Sequence, residues 1–304
     1  MTRRVVAWIA QGAGREALGN VSGGDGREAL GALPPEVTLA DAPGPDVEFA
    51  VPNWGVPFHP ASMPSLRVVQ VRSAGVDWII DEVPEGITLC SARGTRDAAM
   101  AEWIVAALLA DAKRLGPFAR ADRWHRGDIF DLAGHRVVIL GHGSSGRATA
   151  RLLAPFGCEV VGVARRARDG VHAIDELDAL LPTTDALVNL LPLTPATRGL
   201  VDAGVLARLR DGALYINLGR GPTTDTGALV AELRRERLRA VLDVVDPEPL
   251  PDDHPLWTAP GALISPHVAG DTPAGDRAAW RLVGEQLARY VAGEPLRNVV
   301  RDGY

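Results

Sequence analysis

The sequence predicts an α/β protein with two parallel-sheet domains, and three observations carry that reading. Short β-branched apolar runs alternate with longer helix-like segments along the chain. The alternation restarts at Arg136, after a long helical stretch and a polar segment containing Trp124 and His125. A glycine-rich turn, Gly141-His142-Gly143-Ser144-Ser145-Gly146, lies between a buried-type apolar run and a helical one.

In chain order, strands are expected over residues 5–9, 48–51, 67–71 and 87–90. Gly23-Gly24-Asp25-Gly26 and Ala42-Pro43-Gly44-Pro45 read as loops between them. Residues 97–115 read as a helix stopped by Gly116-Pro117. A second strand series follows at 136–140, 159–163, 186–190, 213–218, 240–244 and 262–265, with helices at the spacing of βαβ units. The last long helix is expected over 273–292 and ends at Gly293.

Length and composition remove several classes of function. The 304 residues suffice for two ordinary domains, and 46% hydrophobic with 23% charged residues is close to the globular average. The longest clean apolar run, residues 103–110, stops at Asp111 and is too short to span a bilayer. The N-terminus enters a strand-like run with no secretory h-region, so a cytoplasmic protein is expected. Cys90 and Cys158 belong to no CxxC or CxxH pattern, which excludes a disulfide scaffold and a cysteine zinc site; no metal is expected. A net charge of −6 argues against a nucleic-acid footprint. Lys113 is the single lysine among 32 basic residues and lies in Ala112-Lys113-Arg114. A Walker phosphate loop is therefore absent, and lysine Schiff-base chemistry is disfavoured.

The glycine turn fits G-x-G-x-x-G in the strand–turn–helix setting of a Rossmann dinucleotide site. Gly141 makes the tight turn, Gly143 admits a pyrophosphate to the backbone, and Gly146 lets the helix pack closely on the strand. The helix N-terminus offers its unsatisfied amides to the phosphates. The segment fails G-x-S-x-G, so Ser144 and Ser145 are poor hydrolase nucleophiles. Where an NAD site wants an acid after the second strand, this chain reads Ala164-Arg165-Arg166-Ala167-Arg168, with no acid before Asp169. Ala164 leaves room, and Arg165 and Arg166 could clamp a 2′-phosphate, against the alternative of a solvated basic loop. NADP(H) is thus preferred over NAD(H).

A nicotinamide cofactor transfers hydride, so the protein must supply a proton and grip the substrate. His59, His125, His135 and His172 lie in loops or at element edges with no partner near in sequence. The backbone of His142 is expected to matter more than its ring, and His254 reads as part of a surface turn. His267, in Leu263-Ile264-Ser265-Pro266-His267, falls just past the carboxyl end of a buried strand, where open α/β sheets bind ligands. Arg220 follows the apolar run ending Asn217-Leu218-Gly219, and Asp243, Asp246 and Glu248 follow the next strand. An arginine there suits a 2-oxo or 2-hydroxy acid carboxylate. A carboxylate beside His267 would fix its tautomer and favour the imidazolium that reduction requires.

Taken together, these stretches resemble the D-isomer-specific 2-hydroxyacid dehydrogenases, which include glyoxylate/hydroxypyruvate reductases, phosphoglycerate dehydrogenases and D-lactate dehydrogenases. The resemblance rests on Ser73-Ala74-Gly75-Val76-Asp77, the glycine turn, Leu191-Pro192-Leu193-Thr194-Pro195-Ala196-Thr197-Arg198-Gly199-Leu200 and the strand end at Arg220. It continues through Leu242-Asp243-Val244 to Pro249, His254-Pro255-Leu256-Trp257 and Pro266-His267-Val268-Ala269-Gly270. It implies Arg220 as carboxylate and carbonyl binder, Glu248 as orienter of the histidine, and His267 as acid/base. It places Asp243 near the nicotinamide, Leu191, Pro192 and Leu218 at its ribose, and Thr197, Gly219 and Gly270 among the cofactor contacts. Backbone groups of Ala74 and Gly75 would meet the substrate carboxylate. Trp54 is a candidate pocket wall, with a packed core tryptophan as the alternative.

The same resemblance implies two Rossmann-like/flavodoxin-like domains with an interdomain active-site cleft, closing to exclude water. The substrate domain would span 1–93 completed by 277–304, and the dinucleotide domain 94–276. A homodimer is implied, with the helix over 97–115 as a contact. His142 and Ser145 depart from the apolar residues usual in the family's turn, and the region before residue 67 matches poorly. The expected reaction is NAD(P)H-dependent reduction of a small 2-oxo acid, with glyoxylate or hydroxypyruvate first. Rivals are a phosphoglycerate or phosphite dehydrogenase, and a non-catalytic dinucleotide-sensing regulator. Glu248 argues against the formate type, which uses an amide there, and the absence of an appended domain disfavours the long phosphoglycerate type.

Overall fold

The structure is a computed structural model that describes residues 4–10 and 30–301. The expected loop at Gly23-Gly24-Asp25-Gly26 lies outside the described residues. Among the described residues the strands run β1 (Val5–Ile9), β2 (Val37–Ala40), β3 (Val47–Val51), β4 (Val68–Gln70), β5 (Thr88–Cys90) and β6 (Arg136–Leu140). They continue as β7 (Glu159–Ala164), β8 (Val171–Ala173), β9 (Ala186–Asn189), β10 (Leu214–Asn217), β11 (Arg239–Leu242) and β12 (Ala262–Ile264). The α-helices are α1 (Asp97–Ala112), α2 (Leu115–Ala119), α3 (Ser144–Leu153), α4 (Leu177–Leu180), α5 (Ala203–Arg208), α6 (Thr226–Arg234) and α7 (Pro273–Ala292). The chain divides into two compact units, Met1–Arg96 with Asp271–Tyr304, and Asp97–Gly270. None of the described helices is long and apolar enough to cross a membrane.

The first unit is built on a parallel sheet of order β2-β1-β3-β4-β5. Helix α7 starts on an N-cap hydrogen bond from the Gly275 amide to Thr272 Oγ1 and stops at Gly293, which takes the left-handed conformation a helix end favours. Its Trp280, Val283 and Leu287 pack on Ala7, Ile9, Phe49, Val51 and Val68 of the sheet. Gln286, fully buried, donates to Gln70 Oε1 at 2.9 Å and accepts from the Arg297 amide at 2.9 Å, so the polar pair is satisfied inside the core.

The second unit carries a parallel sheet of order β12-β11-β10-β9-β6-β7-β8. Strands added after β6 run outward to one side and those from β9 onward to the other, so the order reverses between β6 and β9. A crevice at the carboxyl ends of those two strands is where such sheets bind ligands. Helix α1 packs with Ile104, Val105 and Leu108 against Val137, Ile139, Val188 and Ile216. Its apolar residues are therefore committed to this unit's own core. Arg239, opening β11, forks onto Asp111 near the end of α1 at 2.5 and 2.9 Å.

Two strands and one helix boundary differ from the sequence reading. β2 and β8 are short edge strands, and β2 leaves Thr38 and Leu39 exposed, so neither carries an apolar alternation. Gly116-Pro117 does not stop a helix. α1 ends at Ala112, Arg114 turns left-handed at φ +55°, and Pro117 sits in the first turn of α2, where its missing N–H costs nothing.

Candidate active site

The glycine turn lies at the strand-order reversal. Gly141 adopts φ +99°, and a side chain there would come within 2.8 Å of the Leu190 carbonyl at the end of β9. Gly146 faces the Gly141 carbonyl, 2.9 Å from where a Cβ would stand, so α3 sits directly on the turn. Gly143, the N-cap of α3, has open space on its Cβ side. That opening, beside the first-turn amides of a ten-residue helix, fits a dinucleotide pyrophosphate. Ser144 begins the helix, and Ser145 donates to Asp97 Oδ1 at 2.8 Å, which ties α3 to the start of α1. Ser145 thus fills a position expected to be apolar by making a specific tether.

His142 also has a role that its neighbours dictate. Its ring lies on Gly162 of β7, where a Cβ would stand 2.7 Å from the imidazole, so the ring is accommodated only by that glycine. Its Nδ1 is buried without a partner. Burial, then the positive charges of Arg168 and Arg147, hold the ring below the usual histidine range. The ring is thus packed into this unit, a placement the sequence reading did not include. Ala164 ends β7, and Arg165 and Arg166 follow it exposed, with no side-chain partner among the described residues. Arg168 was not singled out from sequence. It opens a tight turn to Val171 and donates its guanidinium to the His142 carbonyl. Arg147 and Arg168 thus bring positive charge to the His142 end of the turn.

On the other side of the reversal, Leu191 and Leu218 are buried at successive strand ends. Gly219 packs on the Leu191 backbone, 2.6 Å from its carbonyl oxygen to where a Cβ would lie. Thr197 donates to the Pro192 carbonyl at 2.6 Å and accepts from the Thr194 amide at 2.9 Å, closing the 192–197 loop. Arg220 is half-buried and donates from Nη1 to the Gly219 carbonyl at 2.8 Å. A Cβ at Gly221 would lie 1.8 Å from the Val245 carbonyl oxygen, so this glycine lets the Arg220 loop meet the segment leading to Glu248.

Glu248 Oε1 lies 2.6 Å from His267 Nδ1. Because a carboxylate only accepts, Nδ1 carries the proton of that bond and Nε2 is left for chemistry. His267 itself sits at φ +54°, in the left-handed region that non-glycine residues rarely occupy. Its amide donates to the Asp243 and Ser265 carbonyls at 2.8 and 3.1 Å. The buried Asp243 carboxylate accepts from Ser265 Oγ, Val268 N and Ala269 N at 2.7, 2.9 and 2.9 Å. The strained residue is therefore held on both sides by one carboxylate, a structural task for Asp243 that sequence did not reveal. Gly270 ends the unit just beyond.

Trp54, Ala74 and Gly75 belong to the first unit. Trp54 is 47% exposed, which removes the packed-core alternative. The Gly75 carbonyl accepts from Ser73 Oγ at 2.6 Å, and Trp78 Nε1 donates to that hydroxyl at 3.1 Å, so the Ser73–Gly75 loop has a defined shape. Ala74 is exposed on it. Among the histidines set aside from sequence, His172 does have a near partner, Glu176 at 2.7 Å four residues on.

Comparison with known proteins identifies the family. The family model described as D-isomer specific 2-hydroxyacid dehydrogenase, NAD binding domain, matches residues 103–269. A D-isomer specific 2-hydroxyacid dehydrogenase from Xanthobacter autotrophicus Py2, solved with NADPH and MES, is 33% identical and superposes with a TM-score of 0.84. That match covers 99% of this chain and 100% of the other. The NADPH-dependent glyoxylate/hydroxypyruvate reductase of Sinorhizobium meliloti, solved with NADP and sulfate, is 30% identical at a TM-score of 0.83, covering 99% and 100%. Glyoxylate/hydroxypyruvate reductase A of Citrobacter koseri is 33% identical over 236 residues, 72% of this chain and 76% of that relative.

Proposed function

The chain belongs to the D-isomer specific 2-hydroxyacid dehydrogenase family, NAD(P)-dependent oxidoreductases, and from that premise we propose that it reduces a small 2-oxo acid of the glyoxylate or hydroxypyruvate kind to the D-2-hydroxy acid with NADPH. The observation that carries this reading is the His267–Glu248 contact past the ends of β12 and β11, with Arg220 past the end of the adjoining strand β10. A bound nicotinamide supplies the hydride. Arg220 holds the substrate carboxylate and polarises the carbonyl, and the proton passes from His267 Nε2 to the carbonyl oxygen. Glu248 steadies the imidazolium through Nδ1. Gly141, Gly143 and Gly146 cradle the pyrophosphate, and Arg165 and Arg166 meet the 2′-phosphate.

NADPH is favoured over NADH because guanidiniums without carboxylate partners among the described residues stand where an NAD site needs an acid. Both structural relatives named above were solved with NADP or NADPH. We further propose a homodimer, supported by exposed apolar side chains at Leu115, Phe118, Trp124 and Ile129, with Trp124 fully exposed. The test is His267→Ala. Turnover of glyoxylate should vanish while NADPH binding, followed by its fluorescence, stays within a few-fold; undiminished turnover would remove His267 from the mechanism.

A further inference from the structure

The strand ends that carry Leu191 and Arg220 finish on the same device. Asn189 and Asn217 face each other in register across β9 and β10. Each is the last residue of its strand, and each accepts the amide two residues on: Leu191 N on Asn189 Oδ1 and Gly219 N on Asn217 Oδ1, both at 3.0 Å. These bonds orient both side-chain amides, because only Oδ1 can accept.

The proton directions around Thr223 then follow. Asn189 Nδ2 has two protons and donates to Thr223 Oγ1 at 2.8 Å and to the Tyr215 hydroxyl at 2.9 Å. Thr223 Oγ1, already an acceptor, spends its own proton on the Arg220 carbonyl at 2.6 Å. The Tyr215 hydroxyl and Thr224 Oγ1 lie 2.6 Å apart and share one hydrogen bond, and Thr224 Oγ1 also accepts from Asn217 Nδ2 at 3.1 Å. Burial pushes the Tyr215 phenol up to about 12, so the hydroxyl stays protonated. Asn189, Tyr215, Asn217, Thr223 and Thr224 are all buried.

The network converges on one atom. The Arg220 carbonyl oxygen accepts from Thr223 Oγ1 at 2.6 Å, Thr223 N at 3.2 Å and Asn217 Nδ2 at 3.2 Å. Ordinary strand-end loops need one such bond. Three fix the peptide plane after Arg220, and with it the base from which the guanidinium extends.

The geometry points to Thr223, Asn217 and Tyr215 as positioning residues for Arg220, setting oxo-acid affinity without touching substrate or cofactor. This rests on the reading of Arg220 as the carboxylate-binding residue. Losing the Thr223 hydroxyl leaves Asn189 Nδ2 and the Arg220 carbonyl each short of a buried partner, and the loop must shift to recover them. Tyr215→Phe breaks the same circuit at its far end.

The experiment compares Thr223→Val, Thr223→Ser, Tyr215→Phe and Arg220→Met in the full-length enzyme. Steady-state KM for glyoxylate is measured with NADPH dissociation constants and thermal midpoints. Thr223→Val and Tyr215→Phe should raise KM about tenfold while the NADPH dissociation constant stays within twofold. Thr223→Ser, which keeps the hydroxyl, should return KM to within about twofold of the parent. An unchanged KM in Thr223→Val and Tyr215→Phe, with KM raised in Arg220→Met, would overturn the positioning role alone. Equal losses of NADPH and oxo-acid affinity in Thr223→Val would also overturn it, by showing a general scaffold. An unchanged KM in Arg220→Met would instead overturn the reading of Arg220.

Discussion

Nδ1 of His267 stands 2.6 Å from Oε1 of Glu248, and this bond occupies one ring nitrogen and leaves Nε2 as the other. In Glu248→Gln the amide oxygen can still accept the Nδ1 proton, but the carboxylate's negative charge beside the ring is gone. Reductive turnover should fall on the order of 100-fold. NADPH binding, read by fluorescence titration, should be unchanged. Parent-like turnover in this variant would deny Glu248 its electrostatic role.

Asp243 is a second acid whose task is visible only in three dimensions. Its carboxylate holds Ser265 Oγ and the Val268 and Ala269 amides around the left-handed His267. Asn at this position turns one accepting oxygen into an NH2 group facing donors. Asp243→Asn should therefore cost about 1–3 kcal/mol of stability and lower turnover together. Urea denaturation beside steady-state rates reads both. A stable variant with full activity would show that another contact holds the segment.

His142 gives stability a pH dependence of known sign. Burial and the charges of Arg168 and Arg147 hold its folded value below the ordinary 6.5. In the interval just below 6.5 the unfolded chain binds the proton and the folded chain does not, so stability is lost as pH falls through that interval. His142→Leu removes the titration and keeps an apolar group near Gly162. The fall in urea midpoint between neutral and mildly acidic pH should be smaller in the variant. Parallel falls would place the ring in water.

The arginines after β7 should determine cofactor choice. Replacing Arg165 and Arg166 together with Ala should raise KM for NADPH about tenfold or more and leave KM for NADH within about twofold, because each charge-assisted bond to the 2′-phosphate is lost only with NADPH. Equal changes for the two cofactors would assign these side chains to the solvated surface. Arg168→Ala tests whether its contact with the His142 carbonyl shapes the turn as well.

Much of this was legible in the residues because strong local patterns agree with the fold. The central strands of both sheets are continuous apolar runs, and the glycines at 141 and 146 are demanded by contacts that a Cβ would violate. Arg220, Glu248 and His267 stand just past strand ends, where topology brings ligands. The polar network beneath Arg220 was missed, although Val188-Asn189-Leu190 and Ile216-Asn217-Leu218 repeat one pattern at adjacent strand ends. A repeated Asn closing an apolar strand is the signal that could have found it. The seat of the His142 ring on Gly162 was out of reach, since those residues are twenty apart and meet only through sheet pairing. Edge strands β2 and β8 were invisible because a half-solvated edge imposes no apolar period.

The most direct test is the initial rate of NADPH and NADH oxidation with glyoxylate, hydroxypyruvate, pyruvate and phenylpyruvate. Rapid turnover with NADPH on the small oxo acids, and much slower turnover with NADH, is the predicted result. Tight dinucleotide binding with no turnover of any of the four acids would contradict the proposed reaction.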